Sequence, residues 1–114
     1  MDFPEDQITE LKNLGEVLSA QEGGVPYFII RALKLPDGCS PNQCDALLCP
    51  VPANGYNSRL YFSQKVQPAK AVALNWNAND VRILEQNWHA FSWKLIHTNL
   101  RLIELVALHL KILQ

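Results

Sequence analysis

The chain has 114 residues, of which 48% are apolar and 18% are charged, so we expect one domain over residues 1–114 that buries roughly two-thirds of its unfolded surface. The formal net charge of -1 gives no electrostatic reason to expect nucleic acid or an anionic membrane as a partner. The acidic first six residues lack the basic segment and apolar run of a signal peptide, and no apolar stretch reaches about 18 residues, so we expect a cytoplasmic protein without a membrane span.

The first predicted element is a short helix over residues 4–14. Proline stands in its first turn, Glu5 and Asp6 lie near the positive end of the helix dipole, and Gly15 ends the pattern. Its apolar residues share one side, which predicts that the helix packs on a sheet.

Four strands are predicted between residues 16 and 66. They cover residues 16–21, 25–35, 44–49 and 59–66. β-branched and aromatic residues fill the runs, and turns rich in Gly, Pro, Asn and Asp separate them. Consecutive strands joined by short turns favour an antiparallel meander.

The C-terminal half is less regular until a final helix. Residues 68–79 are predicted to be irregular, with one short strand at most, and residues 81–84 to form another short strand. Apolar residues at helical spacing then predict a helix over residues 99–113, with Thr98 as its N-cap.

The apolar arc of this final helix is wider than a single stripe. We expect one line of residues to lie against the sheet, namely Leu100, Ile103, Ala107 and Leu110. The leucines away from that line are Leu102, Leu105 and Leu108. A sheet covers one side of a helix, so we expect these leucines to be covered either within the chain, by the N-terminal helix, or by a partner surface or a second copy of the chain.

Three cysteines, Cys39, Cys44 and Cys49, are spaced five residues apart. This spacing matches no common zinc pattern, and the odd separation of Cys44 and Cys49 puts them on opposite faces of a strand. We expect three reduced, buried thiols, and the sequence predicts no metal and no cofactor.

Several isolated polar residues suggest no chemistry. Arg59 and Lys65 are interpreted as charges that keep a sheet edge in solvent, in preference to a phosphate-binding pair. His97 and His109 are interpreted as surface or helix-end residues, since a lone histidine seldom indicates catalysis.

Residues 88–95 combine large aromatic rings with a histidine and a serine, side chains that can serve in nucleophilic catalysis. The rings of Trp88, Phe91 and Trp93 either fill the core or form the walls of a site. In a site, Ser92 is the candidate nucleophile and His89 its candidate base. That pairing requires a turn, because residues three apart in an extended strand point to opposite faces.

Several motifs follow one another along the chain: Leu35-Pro36-Asp37-Gly38, Asp45-Ala46-Leu47-Leu48, Pro52-Ala53-Asn54-Gly55-Tyr56 leading into Leu60-Tyr61-Phe62, and Trp88-His89-Ala90-Phe91-Ser92. In this order and at these spacings they resemble the prokaryotic family E of ubiquitin-conjugating-enzyme-like proteins. The resemblance covers about residues 4–113. It implies an α+β, reduced ubiquitin-conjugating-like fold, with an antiparallel meander of about four strands between an N-terminal and a C-terminal helix.

The resemblance also implies a function. The chain resembles a component of a bacterial system that conjugates a ubiquitin-like modifier, with that modifier and an activating-enzyme-like protein as partners. It departs from the family between Val66 and Trp88, which contains neither a cysteine nor a His-Pro-Asn tripeptide. Two functions therefore stay open: a transferase that accepts the modifier, through an oxygen ester on Ser92 or on another residue, and a catalytically inactive adaptor that binds an activating enzyme, a modifier or a deconjugating protease. A small α+β binding domain unrelated to this family is the remaining alternative.

Overall fold

A computed structural model describes residues 3–70, 73–95 and 99–114. Within these residues the helices are α1 (Glu5–Leu11), which a 3-10 turn (Lys12–Leu14) extends, and α2 (Leu102–Lys111). The strands are β1 (Val17–Glu22), β2 (Val25–Lys34), β3 (Gln43–Cys49), β4 (Arg59–Phe62), β5 (Trp76–Ile83) and β6 (Gln86–Phe91). They form one antiparallel sheet in the order β1-β2-β3-β4-β6-β5.

The prediction of a four-strand sheet, and with it the predicted fold class, is wrong, because the β5–β6 hairpin adds two strands. The sequence predicted irregular structure over residues 68–79, yet β5 begins at Trp76. Register shifts between Trp76 and Ala78 and between Ala78 and Val81, with Asp80 at a φ of 53°, break the alternation that identifies a strand. The structure has helices within both predicted helical spans. However, α2 begins at Leu102, and Thr98 lies outside the described residues.

Side chains alternate across the meander of β2, β3 and β4, so this part of the sheet has two apolar faces. The helix face carries Phe28, Ile30, Leu48, Leu60 and Phe62 and packs against Leu11, Leu102, Leu105 and Val106. The hairpin face carries Ile29, Leu47, Cys49 and Tyr61 and packs against Ala78, Ile83, Trp88 and Ala90 of the β5–β6 hairpin. The helices therefore cover one face and the hairpin covers the other, and Trp76 and Phe91 of the hairpin also reach the cluster on the helix face.

α2 packs on the core with residues from both predicted sides, because Leu100, Ile103 and Leu110 of the predicted line are partly buried against the same cluster. Leu102 and Leu105 are 1% and 3% exposed and belong to the core, whereas Ala107 is exposed. The apolar arc is so wide that residue spacing alone could not determine which side meets the sheet. Leu102 and Leu105 are therefore not available for the partner contact predicted for them, because they are buried in the core.

Polar contacts tie α1 to α2 on the helix face. Arg101 donates from Nη2 to Asp6 Oδ2 (2.7 Å) and from Nε to Glu10 Oε1 (2.9 Å). Gln7 Oε1 accepts from the Leu102 backbone N–H (3.1 Å), and Glu104 Oε1 accepts from that of Arg101 (2.8 Å), so the free N–H groups at the start of α2 are partly satisfied. Neither helix, nor any other helix in the described residues, is long and apolar enough to cross a membrane.

Candidate functional site

A two-residue turn at Asn54 and Gly55 places Tyr56 at the entrance to β4. Both turn residues have positive φ, 52° and 87°, which is the signature of a type I′ turn and explains the Asn-Gly pair. The backbone of Ala53 and Tyr56 closes the turn through two hydrogen bonds, 2.9 and 3.0 Å long. The phenol of Tyr56 is thereby held against the hairpin face of the sheet.

Side chains from three separate parts of the chain, those of Tyr56, Asn77 and Ser92, meet at the hydroxyl of Tyr56. Ser92 Oγ lies 3.1 Å from it, and Asn77 donates to it from Nδ2 over 2.7 Å. Ser92 is itself fixed, because its backbone N–H donates to the Asn75 carbonyl (2.7 Å). The β5–β6 hairpin thus delivers Ser92 and Asn77 to a tyrosine that the meander supplies.

Two cations flank this cluster. The Arg59 guanidinium lies 4.2 Å from the centre of the Tyr56 ring and 5.5 Å from that of Tyr61, and its Nη2 donates to Asn77 Oδ1. The Lys94 ammonium lies 5.7 Å from the Tyr56 ring centre. In the described part of the chain, no carboxylate forms a salt bridge with Arg59 or Lys94. Arg59 is 9% exposed, so the interpretation that it solvates a sheet edge is wrong.

These contacts lower the pKa of Tyr56 below its ordinary value. The hydrogen bond with Ser92 is the largest cause, followed by the bond from Asn77 and the nearby charges of Arg59 and Lys94. While Tyr56 is neutral either hydroxyl can donate across the contact with Ser92, whereas an ionised Tyr56 accepts from both Ser92 and Asn77. In the ionised state the serine hydroxyl faces an oxygen that can take its proton.

His89 lies apart from Ser92 in the hydrogen-bond network. Its Nδ1 accepts from the Asp80 backbone N–H (3.2 Å), and its Nε2 lies 3.6 Å from Asp80 Oδ1. His89 pairs with Phe62 in the ladder, whereas Trp88 and Ala90 face the hairpin side, so Ser92 is out of phase with His89. The turn that a His89–Ser92 pair requires is absent from β6, and Ser92 finds its partner in Tyr56 instead.

The aromatic rings of residues 88–93 belong to the core. Trp88 is 0% exposed and donates from Nε1 to the Ile83 carbonyl (3.0 Å). Phe91 stacks on Phe62 with ring centres 5.8 Å apart, and Trp93 is half-buried against the same cluster. Of the two interpretations of these rings, the structure supports the filling of the core.

The three cysteines are free and buried, as the sequence predicts. Burial raises the pKa of all three thiols, which makes each a poor nucleophile. Cys44 packs on the helix face and Cys49 on the hairpin face, which confirms the expected alternation. No group of three His, Cys, Asp or Glu side chains in the described residues could hold a metal ion.

His109 lies in the last turn of α2, which is one of the two positions expected for it, but it is buried and not on the surface. It is 2% exposed, and its Nε2 lies 2.9 Å from Ser58 Oγ. The buried arc of α2 that includes Leu105 also includes His109. His97 lies outside the described residues.

Sequence reasoning identified Ser92 but missed its neighbours Tyr56, Asn77, Arg59 and Lys94. One local signal was available: Arg59 precedes an apolar strand and shares the alternation phase of Tyr61, which points to the buried side. The remaining contacts join residues far apart in the sequence and have no local signal. None of the protein-family models, curated proteins and solved structures compared with this chain matches it, so its function has to be argued from these contacts.

Proposed function

We propose that the chain accepts an activated acyl group as an oxygen ester on Ser92, as a component of a bacterial system that conjugates a ubiquitin-like modifier. The observation that carries the proposal is the 3.1 Å contact between Ser92 Oγ and the Tyr56 hydroxyl. A serine hydroxyl is a weak nucleophile unless an adjacent base takes its proton. Tyr56 is suited to that role because its pKa is lowered by Ser92, Asn77 and the neighbouring cations.

The reaction assigns one step to each group. Ser92 Oγ attacks the acyl carbon, and its proton passes to the ionised oxygen of Tyr56. Asn77 holds that oxygen in place through its Nδ2 donor. The bond from the acyl carbon to the leaving group breaks, and the leaving group keeps the electron pair.

The partners follow from the resemblance in the sequence. A ubiquitin-like modifier would supply the acyl group from its C-terminus, and an activating-enzyme-like protein would activate it. A thioester on one of the three cysteines is disfavoured, because all three thiols are buried. The proposal implies a cytoplasmic location, which the free thiols support.

The test combines the protein with a modifier, an activating-enzyme-like protein from the same operon and ATP. We expect intact-mass spectrometry to detect an adduct that hydroxylamine and hydroxide remove and that thiols leave intact. Ser92→Ala should abolish the adduct, and Tyr56→Phe should slow its formation. Ser19→Ala, on the exposed edge strand β1, is the matched control and should leave it unchanged. An adduct that persists in Ser92→Ala would refute the assignment of the nucleophile.

The second candidate is a catalytically inactive adaptor that binds an activating enzyme, a modifier or a deconjugating protease. The burial of all three thiols favours it, because the chain then lacks the exposed cysteine on which conjugating enzymes of this family form a thioester. A stable complex with one of these partners by size-exclusion chromatography, with no covalent adduct under any condition above, would favour this function.

A further inference from the structure

The proposed ester site contains a buried cation that has no carboxylate partner in the described residues. Arg59 is 9% exposed, and its Nε is buried without a hydrogen-bond partner in the described residues. Buried arginines are normally paired with an anion, because removing a charge from water without compensation is costly. Two tyrosine rings and the Asn77 amide oxygen contact the guanidinium, but each of these carries at most a partial negative charge while the tyrosines are neutral.

A second cation stands at the same tyrosine. Lys94 is exposed, and its ammonium lies 5.7 Å from the Tyr56 ring centre, whereas the Arg59 guanidinium lies 4.2 Å from it. The hydroxyl end of this tyrosine meets Ser92. An ionised Tyr56 would offset one of these two positive charges, so one net positive charge remains beside the tyrosine whose hydroxyl meets Ser92, which favours a ligand with negative charge.

We propose that Arg59 and Lys94 form a phosphate-binding subsite beside Ser92, and that the acyl donor which Ser92 attacks is a mixed anhydride with phosphate. This inference rests on the proposed function and names its substrate class. When Ser92 Oγ bonds to the acyl carbon, the bond from that carbon to the phosphate oxygen breaks. The electron pair leaves on the phosphate, the serine proton passes to Tyr56, and the products are the serine ester and a free phosphate or nucleoside monophosphate.

The charge that develops in this step explains why both cations are needed. The departing phosphate gains negative charge as the bond breaks, and fixed positive charges next to it stabilise the transition state more than the bound donor. A thioester would release a soft, bulky thiolate, to which an arginine fork offers no matched geometry. The site therefore favours the phosphate donor over the thioester.

The first arm of the test measures binding of inorganic phosphate and of AMP by calorimetry, with acetate as a comparison ligand. We expect saturable binding of both phosphates, weakened by added salt, and at least about tenfold weaker binding to Lys94→Gln, because one charged contact is lost. Arg59→Gln should weaken binding further if it folds. The control is Lys34→Gln, which removes the same charge far from the site. Lys34 pairs with Gln43 and Arg59 pairs with Cys49, and these two partners stand at opposite ends of β3, about 20 Å apart.

The second arm offers acetyl phosphate and the acetyl thioester of a small thiol to the full chain and follows acetylation of Ser92 by mass spectrometry. We expect acetyl phosphate to react faster, and this advantage to shrink in Lys94→Gln while Lys34→Gln retains it. Equal or faster reaction with the thioester, or phosphate binding that Lys94→Gln leaves unchanged, would overturn the inference. If the thioester acylates Ser92 and the protein does not bind phosphate, only the inference is overturned. If the protein binds phosphate but Ser92 is never acylated, the proposed function is overturned, and with it the identity of the donor.

Discussion

The three tyrosines of the chain should ionise in two separate steps, with Tyr56 first. The pKa of Tyr56 is lowered from its ordinary value of 10.0, chiefly by its hydrogen bond with Ser92. Burial raises the pKa of Tyr27 and of Tyr61 above that value. Since the chain has 3 tyrosines, one third of the phenolate absorbance should develop around a midpoint below pH 10.0 and the other two thirds around midpoints above it.

The change Tyr56→Phe removes the first step and keeps the ring that Arg59 contacts. Two hydrogen bonds are lost, with Ser92 and with Asn77. Water can replace the bond to the exposed Asn77, so the expected loss is about 1 kcal/mol of unfolding free energy, most of it at the half-buried Ser92. For a chain of this size that loss lowers the melting temperature by about 4–8 °C.

The pH dependence of stability has a defined sign for each tyrosine. Tyr56 has a depressed pKa in the folded state, so its ionisation adds to the free energy of unfolding as the pH rises from that pKa towards 10.0 and adds nothing below it. Tyr27 and Tyr61 have raised pKa values, so their contribution is complete below 10.0 and is lost as the pH rises through their folded pKa.

The assay is a spectrophotometric titration of wild type and Tyr56→Phe, with far-ultraviolet circular dichroism at each pH to confirm that the protein stays folded. The variant should lose the early third of the absorbance change and keep the late part. If all three tyrosines ionise together, or if the early step survives in the variant, the contacts described for Tyr56 do not act on its hydroxyl.

Three further predictions concern the packing around the site. Gly55→Ala should cost about 1–2 kcal/mol of unfolding free energy, measured by urea denaturation, because φ is 87° although the added carbon meets open space. Leu105→Glu should unfold the domain, as judged by circular dichroism, because Leu105 is 3% exposed. Ala107→Glu, on the exposed side of α2, should stay folded. If both variants fold, they contradict the described orientation of α2. The three cysteines should resist a thiol reagent in native buffer and react fully in denaturant, and fast labelling of the native protein would contradict their burial.

The sequence predicted the meander well because its signals are local. The Asn54-Gly55 turn and the alternation of Leu60, Tyr61 and Phe62 are properties of neighbouring residues, and the structure has the turn and the two faces where these patterns predict them. Of the β5–β6 hairpin the sequence predicted only the short strand at residues 81–84, which overlaps the end of β5. Asparagines and two register shifts hide the rest of its alternation, and packing of Trp88 on the meander stabilises it.

The candidate site was predicted in part for the same reason. Ser92 stood out by its aromatic neighbours, but its partner Tyr56 is 36 residues away in the sequence. Asn77 is 21 residues from Tyr56, and it is the bulged hairpin that brings them together. His89 was chosen as the base because it is close to Ser92 in the sequence. In an extended strand, residues three apart point to opposite faces, so the two side chains are separated.

The candidate site is formed partly by the meander and partly by the hairpin that covers it. Tyr56 and Arg59 belong to the meander, whereas Asn77 and Ser92 belong to the hairpin and its exit, and β4 and β6 share the ladder pair Phe62–His89. Elements joined by few backbone hydrogen bonds can open locally at a lower free energy than global unfolding. Each such opening would separate Ser92 from Tyr56, the proposed nucleophile and base, so the proposed reactivity of Ser92 would depend on the fraction of molecules in which the hairpin is docked.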